Sequence, residues 1–377
     1  MLTNYTDFLE NEFDISVLKL LINGPNGASQ PTHLEQPAIV ALQLSQIYMW
    51  KSLGVNPKVV LGHSIGEFAA AVAAKIMQPE TALRLAVIRG KLMGECPKGS
   101  MAAVFAPVEE LQQLPISIAI AAYNSPLLNV LSGPREQLVQ FLDVNFRDRY
   151  SMLNVSHAFH SPFMDGAATK FRSHVGEVSL NVANDVIFVS SMTGERETYK
   201  ISTSDYWSEQ IINPVKFLKA VETSFALLPH VDTTIEFGSD SVLINMSRRI
   251  ISDKNIQWIP SSSIFYITKE DEVTSQINEI QNSPRRTPLF NSVPIPWNRP
   301  VAIDDSVKID SEFDIFSFAY DAKWTPIEPN LLLENTISLC LAISTRSINI
   351  KMPNNWKGES VVKTKTSTSY SGKQEHL

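Results

Sequence analysis

The sequence is poor in cysteine and has no excess of positive charge. Only two cysteines occur in 377 residues, Cys96 and Cys340, and they are far apart, which argues against a disulfide framework and a paired-cysteine metal site. The net charge is -7, and lysine and arginine are dispersed along the chain, so the basic footprint of a nucleic-acid-binding or membrane-surface protein is missing. We therefore expect neither nucleic acid nor membrane as a partner.

Long hydrophobic runs are also missing. No apolar stretch reaches the length that spans a bilayer, and the acidic start "MLTNYTDFLENEFD" lacks the basic and apolar regions of a secretory signal. The hydrophobic content of 44% is nevertheless typical of a globular core. These features predict a soluble, cytoplasmic protein of one large or two ordinary domains.

Alternating helix and strand signals predict an α/β fold. Helical spacing from Gln36 to Leu53 is followed by a short buried strand, "NPKVVL", and then by two helical stretches. From Gly99 to Ser156 the order of short elements is βαββαβ, which is a ferredoxin-like pattern. We therefore expect a hydrolase-like large subdomain with a parallel sheet (residues 1–98 and 157–282) and an inserted ferredoxin-like small subdomain (residues 99–156).

The composition changes near Ser283. The stretch "SPRRTPLFNSVPIPWNRP" is rich in proline, which precludes regular helix, and predicts a linker at residues 283–300. Residues 301–355 are expected to begin a following region, and the polar stretch 356–377 is expected to be a disordered tail.

A serine lies between two glycines where the predicted strand meets the next helix. The stretch "GHSIG", with Ser64 at its centre, fits the G-x-S-x-G elbow that projects a nucleophilic hydroxyl from the top of a sheet. The free N–H groups at the start of the helix could stabilise an oxyanion there. The alternative is a serine in a structural turn, and the flanking strand and helix favour the nucleophile.

A serine nucleophile needs a base, and two of the seven histidines stand close together. His157 and His160 in "HAFHSPFMD" fall where the small subdomain returns to the large one, a junction where a cleft is expected. Each taken alone would be read as a loop histidine.

Four motifs together resemble a known family. The stretches "GHSIGEFAAAVAA", "HAFHSPFMD", "DYWSEQIINPVKF" and "IEFGSDSVL" are similar, in order and spacing, to the acyltransferase domain of modular type I polyketide synthases. Malonyl-CoA:acyl-carrier-protein transacylases of fatty acid biosynthesis are its wider relatives. The resemblance implies transfer of malonyl from malonyl-CoA to the phosphopantetheine thiol of an acyl carrier protein, by a ping-pong mechanism and within a larger synthase.

The resemblance also implies roles for residues of the catalytic chemistry. Ser64 matches the nucleophile and His160 the general base. Gln210 matches the position whose backbone carbonyl orients that histidine, and the N–H of Ile65 matches one oxyanion donor.

Other matching residues imply the donor. Arg89 matches the arginine that binds the free carboxylate of the donor acyl group through two parallel hydrogen bonds, although on its own it would be read as a solvated helix arginine. His63, Asn124 and His157 are expected beside the substrate. Phe159 makes "HAFH" look like the malonyl-selecting form, because its ring would crowd an α-methyl group.

One family motif is not found. The residues before Gln36 contain no "GQGSQ"-like turn, so the first strand and its oxyanion glutamine look missing, which predicts an exposed sheet edge and lowered activity. An inactive or scaffold fragment of a megasynthase is therefore one alternative. A less favoured one is an α/β-hydrolase esterase that uses His230. No metal or redox cofactor is expected, because neither a ligand cluster nor a G-x-G-x-x-G after a strand occurs.

Overall fold

The structure is a computed structural model that describes residues 1–17, 31–52, 55–231, 233–252, 256–262 and 336–340. The expected linker (283–300) and tail (356–377) lie outside the described residues. The α-helices are α1 Leu2–Phe13, α2 Thr32–Ser52, α3 Gly66–Ala73, α4 Pro79–Gly94, α5 Arg135–Asn145, α6 Asp165–Gly176, α7 Ser204–Ile212, α8 Phe217–Leu227 and α9 Val242–Ile250. The strands are β1 Val59–Gly62, β2 Ser100–Val104, β3 Ala119–Ser125, β4 Leu128–Gly133, β5 Tyr150–Met152, β6 Ile187–Val189, β7 Arg196–Glu197, β8 Thr233–Phe237, β9 Gln257–Pro260 and β10 Thr336–Cys340.

The larger sheet has six strands in the order β7-β6-β1-β10-β8-β9. All neighbours in it run parallel except β6 and β7. Every residue of β1 and β8 is buried, as expected for strands covered on both faces. The predicted strand "NPKVVL" is thus found as β1, and the α/β fold class is confirmed.

Strand β10 differs from the sequence-based expectation. We placed residues 336–340 in a region after the acyltransferase body, and we expected a missing first strand to leave an exposed edge. Instead β10 pairs in parallel with β1 on one side and β8 on the other, so that it lies in the middle of the sheet. The pairing crosses a long stretch of chain, which local periodicity cannot reveal.

Helix α2 begins one turn earlier than the sequence indicated. We expected a start at Gln36, where the apolar residues at helical spacing begin. The helix begins at Thr32 and contains Pro37. Proline lacks an N–H for the helix and its ring crowds the carbonyl four residues earlier, and the burial of the helix around it compensates for this cost.

The smaller sheet has the order β3-β4-β2-β5, and its strands pair antiparallel. This order confirms the ferredoxin-like prediction for the inserted subdomain. The first of its two predicted helices is instead a short 3₁₀ turn at Val108–Leu111. Pro107 precedes that turn and Pro115 follows closely, which leaves too little chain for an α-helix.

The two faces of the smaller sheet pack differently. Met101 and Ala103 in β2 contact the cluster that contains β1, α8 and α9, whereas Ala102 and Val104 pack on the cluster around α5. This alternation is the period of a strand with both faces covered. It seats the small sheet over the carboxyl end of β1 and leaves a cavity between the two subdomains. No helix in the described part of the chain is both long and apolar enough to cross a membrane.

Candidate active site

The tight turn after β1 raises Ser64 toward the cavity. A Cβ on Gly62 would lie 2.2 Å from the backbone nitrogen of Glu67, so only glycine allows α3 to approach the strand this closely. Ser64 itself has a left-handed φ of 50°, a conformation that costs energy for a residue with a side chain. The fold therefore holds this serine in a strained turn that aims its hydroxyl into the cavity.

His160 lies against the serine. Its Nε2 is 2.7 Å from Ser64 Oγ, and its Nδ1 is 2.9 Å from the carbonyl oxygen of Asn213. A carbonyl can only accept, so Nδ1 carries the proton and Nε2 is free to accept one from the serine. Burial, together with the positive charge of Arg89, lowers the pKa of His160 to about 3, so the ring is neutral near pH 7.

The carbonyl that holds His160 belongs to Asn213 and not to Gln210, the residue that the family resemblance implies for this task. The Gln210 backbone also contacts the ring, but its effect on the pKa of His160 is smaller than that of Asn213. Both residues lie at the end of α7, where the last carbonyls of a helix lack intrahelical partners and point outward. The His160 ring is therefore oriented by the C-terminal end of α7, where the carbonyl of Asn213 is its hydrogen-bond acceptor.

Arg89 is buried beside the serine. It is 1% exposed, and its Nη2 donates to Ser64 Oγ at 3.2 Å and to Gln210 Oε1 at 3.1 Å. Its Nη1 donates to Gln36 Oε1 at 2.8 Å, and its Nε has no partner among the described residues. Burial lowers the pKa of Arg89 to about 9, which leaves it protonated near pH 7. All of its hydrogen-bond partners are neutral, so the guanidinium is suited to receive an anion.

The cavity in front of these residues has a volume of about 90 Å³. The large subdomain contributes Ser64, Ile65, Arg89 and His160 to its wall. The small sheet contributes apolar side chains, and Phe159 lies between the two. The remaining wall residues are Thr32, Glu35, Gln36, Ile39, His63, Met93, Met101, Ala121, Ala122, Val130, Leu153 and Val155. An apolar cavity with one buried cation and one serine suits a small anionic acyl group.

Two residues that were expected beside the substrate do not line the cavity. Asn124 is buried behind His63 and accepts a hydrogen bond from its Nε2 at 2.8 Å, while burial lowers the pKa of His63 to about 4. Nδ1 of His157 lies 2.7 Å from Ser156 Oγ, and the His157 ring stacks on the ring of Phe159 with centroids 5.7 Å apart. Both therefore support residues of the wall, a distinction that needs the tertiary structure.

Sequence reasoning missed three residues of this site. Gln36 and Asn213 hold Arg89 and His160, and Glu67 lies buried behind the serine turn. The available signals were weak. Gln36 is a polar residue on the buried face of α2, and Glu67 is a carboxyl group in the otherwise apolar first turn of α3.

The arrangement can perform nucleophilic acyl chemistry. A neutral imidazole within hydrogen-bond distance of a serine can remove its proton, and a nearby arginine can hold an anionic substituent of the acyl group. In the described ranges of the chain, no group of three or more His, Cys, Asp or Glu side chains is placed to bind a metal ion.

Comparison with known proteins gives a family match over the described body. A family model described as the acyl transferase domain matches residues 3–261. The PKS-NRPS hybrid synthetase of Aspergillus candidus is 36% identical over 264 residues, which cover 67% of this chain and 10% of the synthetase. The chain thus spans about a tenth of the length of this curated relative.

Solved structures show the same fold. The acyltransferase domain from the second module of the salinomycin polyketide synthase has a TM-score of 0.62 and 30% identity, covering 69% of this chain and 62% of that one. The malonyl CoA-acyl carrier protein transacylase from Burkholderia pseudomallei has a TM-score of 0.61 and 28% identity, covering 66% of this chain and 89% of that one.

Proposed function

The chain belongs to the acyl transferase domain family, and on that premise we propose that it moves malonyl from malonyl-CoA to the phosphopantetheine thiol of an acyl carrier protein. The observation that carries the proposal is the meeting of Ser64, His160 and Arg89 at one apolar cavity. The similarity to a polyketide synthase domain and to a malonyl transacylase supports it.

In the first half-reaction the serine takes the acyl group. His160 Nε2 accepts the proton of Ser64 as Oγ attacks the thioester carbonyl, and the N–H of Ile65 stabilises the oxyanion at the start of α3. The intermediate collapses to a serine ester, and the sulfur of coenzyme A leaves with the proton from His160.

The second half-reaction reverses these steps with a different thiol. The phosphopantetheine thiol of the carrier protein gives its proton to His160, and its sulfur attacks the ester. The serine oxygen leaves and recovers the proton from His160 Nε2. A ping-pong sequence with one serine ester thus needs no cofactor beyond the two thiols.

The donor is proposed to be malonyl rather than acetyl or methylmalonyl. Arg89 would exchange its contact with Ser64 Oγ for charge-assisted hydrogen bonds to the free carboxylate, while it keeps its contact with Gln210 Oε1. The ring of Phe159 at the cavity wall would crowd an α-methyl group, which supports about 1–3 kcal/mol of discrimination. Phe159→Ser should raise the rate with methylmalonyl-CoA relative to malonyl-CoA by roughly tenfold. Equal rates with the two donors in the unmodified chain would contradict the assignment.

A carrier-protein assay tests the complete transfer. The chain is incubated with malonyl-CoA and a holo acyl carrier protein, and the mass of the carrier is followed. We expect a malonyl shift that depends on Ser64 and is lost in Ser64→Ala. A carrier that binds the chain but never gains mass would instead support the scaffold alternative.

The esterase alternative with His230 as base is disfavoured by the positions of the side chains. His230 is exposed after α8, whereas His160 occupies the place beside Ser64. An esterase would also release malonate from malonyl-CoA without a carrier thiol, which a measurement of free malonate in a reaction without carrier protein detects.

A further inference from the structure

Glu67 is a fully buried carboxyl group to which the catalytic steps above assign no role. Its Oε1 accepts hydrogen bonds from Ser191 N at 2.6 Å and from Ser191 Oγ at 2.9 Å, and its Oε2 accepts one from the Tyr206 hydroxyl at 3.0 Å. The side chain of Gln210 lies close enough to act on Glu67 as well, and it lowers the pKa of the carboxyl group against the effect of burial. Every one of these partners donates, so the site is built for the ionised carboxylate.

Glu67, the Ser64 carbonyl and Arg89 together fix which way the Gln210 amide points. An amide has one donating and one accepting end, and a carboxylate can receive only the donating nitrogen. Nε2 of Gln210 also donates to the Ser64 carbonyl at 2.7 Å, and its Oε1 accepts from Arg89 Nη2 at 3.1 Å. If the amide turned over, its nitrogen would face the guanidinium and its oxygen would face the carboxylate. Both contacts would then be repulsive.

We propose that Glu67 is a positioning residue, which orients the Gln210 amide and through it holds Arg89 where the carboxylate of the acyl donor binds. The inference rests on the proposed function for its substrate. It adds a chain of contacts from Glu67 through Gln210 to Arg89 that sets donor selectivity.

The charges of the two buried groups agree with this role. Within the described residues Arg89 has no carboxylate among its hydrogen-bond partners. Burial lowers its pKa, and the negative charge of Glu67 opposes that effect. Glu67 thus favours the charged guanidinium without occupying the place where a substrate carboxylate would bind.

The test compares two donors. Rates of Ser64 ester formation are measured with malonyl-CoA and acetyl-CoA, because only malonyl has a carboxylate for Arg89. Glu67→Gln should lower the malonyl-to-acetyl ratio of kcat/KM at least about tenfold, which corresponds to 1.4 kcal/mol. A purely structural role would lower both rates alike and leave the ratio unchanged, which would overturn the inference.

A matched control is another buried carboxyl group. Glu236 accepts hydrogen bonds from the N–H groups of Leu243 and Ile244 at the start of α9, away from the cavity lining. Glu236→Gln should keep the ratio within about twofold of the unmodified chain, whatever it does to stability. An equal fall of the ratio in this control would show that any buried charge has the effect, and would overturn the inference.

A second variant interrupts the same chain of contacts. Gln210→Leu should lower the ratio as Glu67→Gln does, and the double variant should lose no more than either single variant, because both act on Arg89 along one route. Additive losses, or an unchanged ratio in Gln210→Leu, would overturn the inference even if Glu67→Gln did not fold.

Crystal structures of the unmodified chain and of Glu67→Gln test the positioning role of Glu67 without any measurement of activity. We expect the contact between Arg89 Nη2 and Gln210 Oε1 to be lost in the variant, and a retained contact would overturn the inference. If the unmodified chain forms no ester with either donor, the proposed function fails, and these structures still test the positioning role on their own.

Discussion

Ser64 Oγ lies 2.7 Å from His160 Nε2, and both residues have left-handed backbone angles, with φ of 50° and 54°. Strained φ values at two residues whose side chains meet indicate that the surrounding structure enforces the contact. For Ser64 the enforcing element is the close approach of β1 and α3. For His160 it is the hydrogen bond to the Asn213 carbonyl.

Removal of the base tests this contact. His160→Ala should lower the rate of serine acylation by roughly 100- to 10,000-fold, because among the described residues His160 is the acceptor in contact with the serine hydroxyl. The measurement is a stopped-flow or quenched assay of ester formation with malonyl-CoA. His174→Ala on the exposed face of α6 is the control and should retain the rate. Equal rates for the unmodified chain and His160→Ala would contradict the assignment of the base.

Replacement of Arg89 tests donor selection. Arg89→Ala should reduce kcat/KM for malonyl-CoA about 10- to 100-fold more than for acetyl-CoA, since charge-assisted hydrogen bonds contribute about 1.5–3 kcal/mol. Arg84→Ala is a suitable control, because Arg84 lies in the same helix and pairs with Glu12 on the exposed surface. A parallel loss with both donors would show that Arg89 serves stability and not selection.

The pH dependence of malonyl transfer should follow the ionisation of Glu67. Burial raises the pKa of Glu67 to about 7, so the carboxylate is lost as the pH falls through that value. The ionisable groups that face it are Arg89 from α4 and Tyr206 from α7, and Tyr206 stays neutral there because burial raises its pKa.

With Glu67 neutral, its hold on Gln210 and Arg89 weakens, so kcat/KM for malonyl-CoA should fall on acidification. The value for acetyl-CoA should not follow, since His160 remains unprotonated in this range. Full pH profiles with both donors check this. A malonyl profile that keeps the same acid limb in Glu67→Gln would contradict the explanation.

Strand β10 makes a prediction about stability. In its register Ser338 lies between Val60 of β1 and Ile235 of β8. Ser338→Pro removes a backbone donor from the centre of the sheet and should lower the free energy of unfolding by about 1–3 kcal/mol. Ser338→Ala keeps the N–H and serves as the control. Denaturant unfolding that gives the same midpoint for both variants would show that the strand does not contribute.

The sequence was sufficient for the fold class and for much of the site. Ser64 could be found because the elbow needs glycine on both sides within a strand-to-helix corner, which is a local pattern. The ferredoxin-like order of the small subdomain could also be predicted, because the order of short strands and helices is a local pattern. The structure brings Ser64, His160 and Arg89 together, although the three lie far apart in the chain.

Other features depend on long-range packing that no local pattern encodes. The carbonyl of Asn213 orients His160 because a helix happens to end there, and any residue type could supply that oxygen. The family resemblance implies Asn124 and His157 as residues beside the substrate, yet they stand behind the wall residues His63 and Phe159. β10 pairs with strands that are distant in sequence, and the periodicity of hydrophobic residues does not predict such a pairing.

The most direct test of the central claim is the intact mass of the chain after incubation with malonyl-CoA. We predict an added malonyl group on the unmodified protein that peptide mapping places on Ser64, that is absent in Ser64→Ala and that is reduced in Arg89→Ala. A folded chain that gains no mass, or one that gains it equally in Ser64→Ala, would contradict the account.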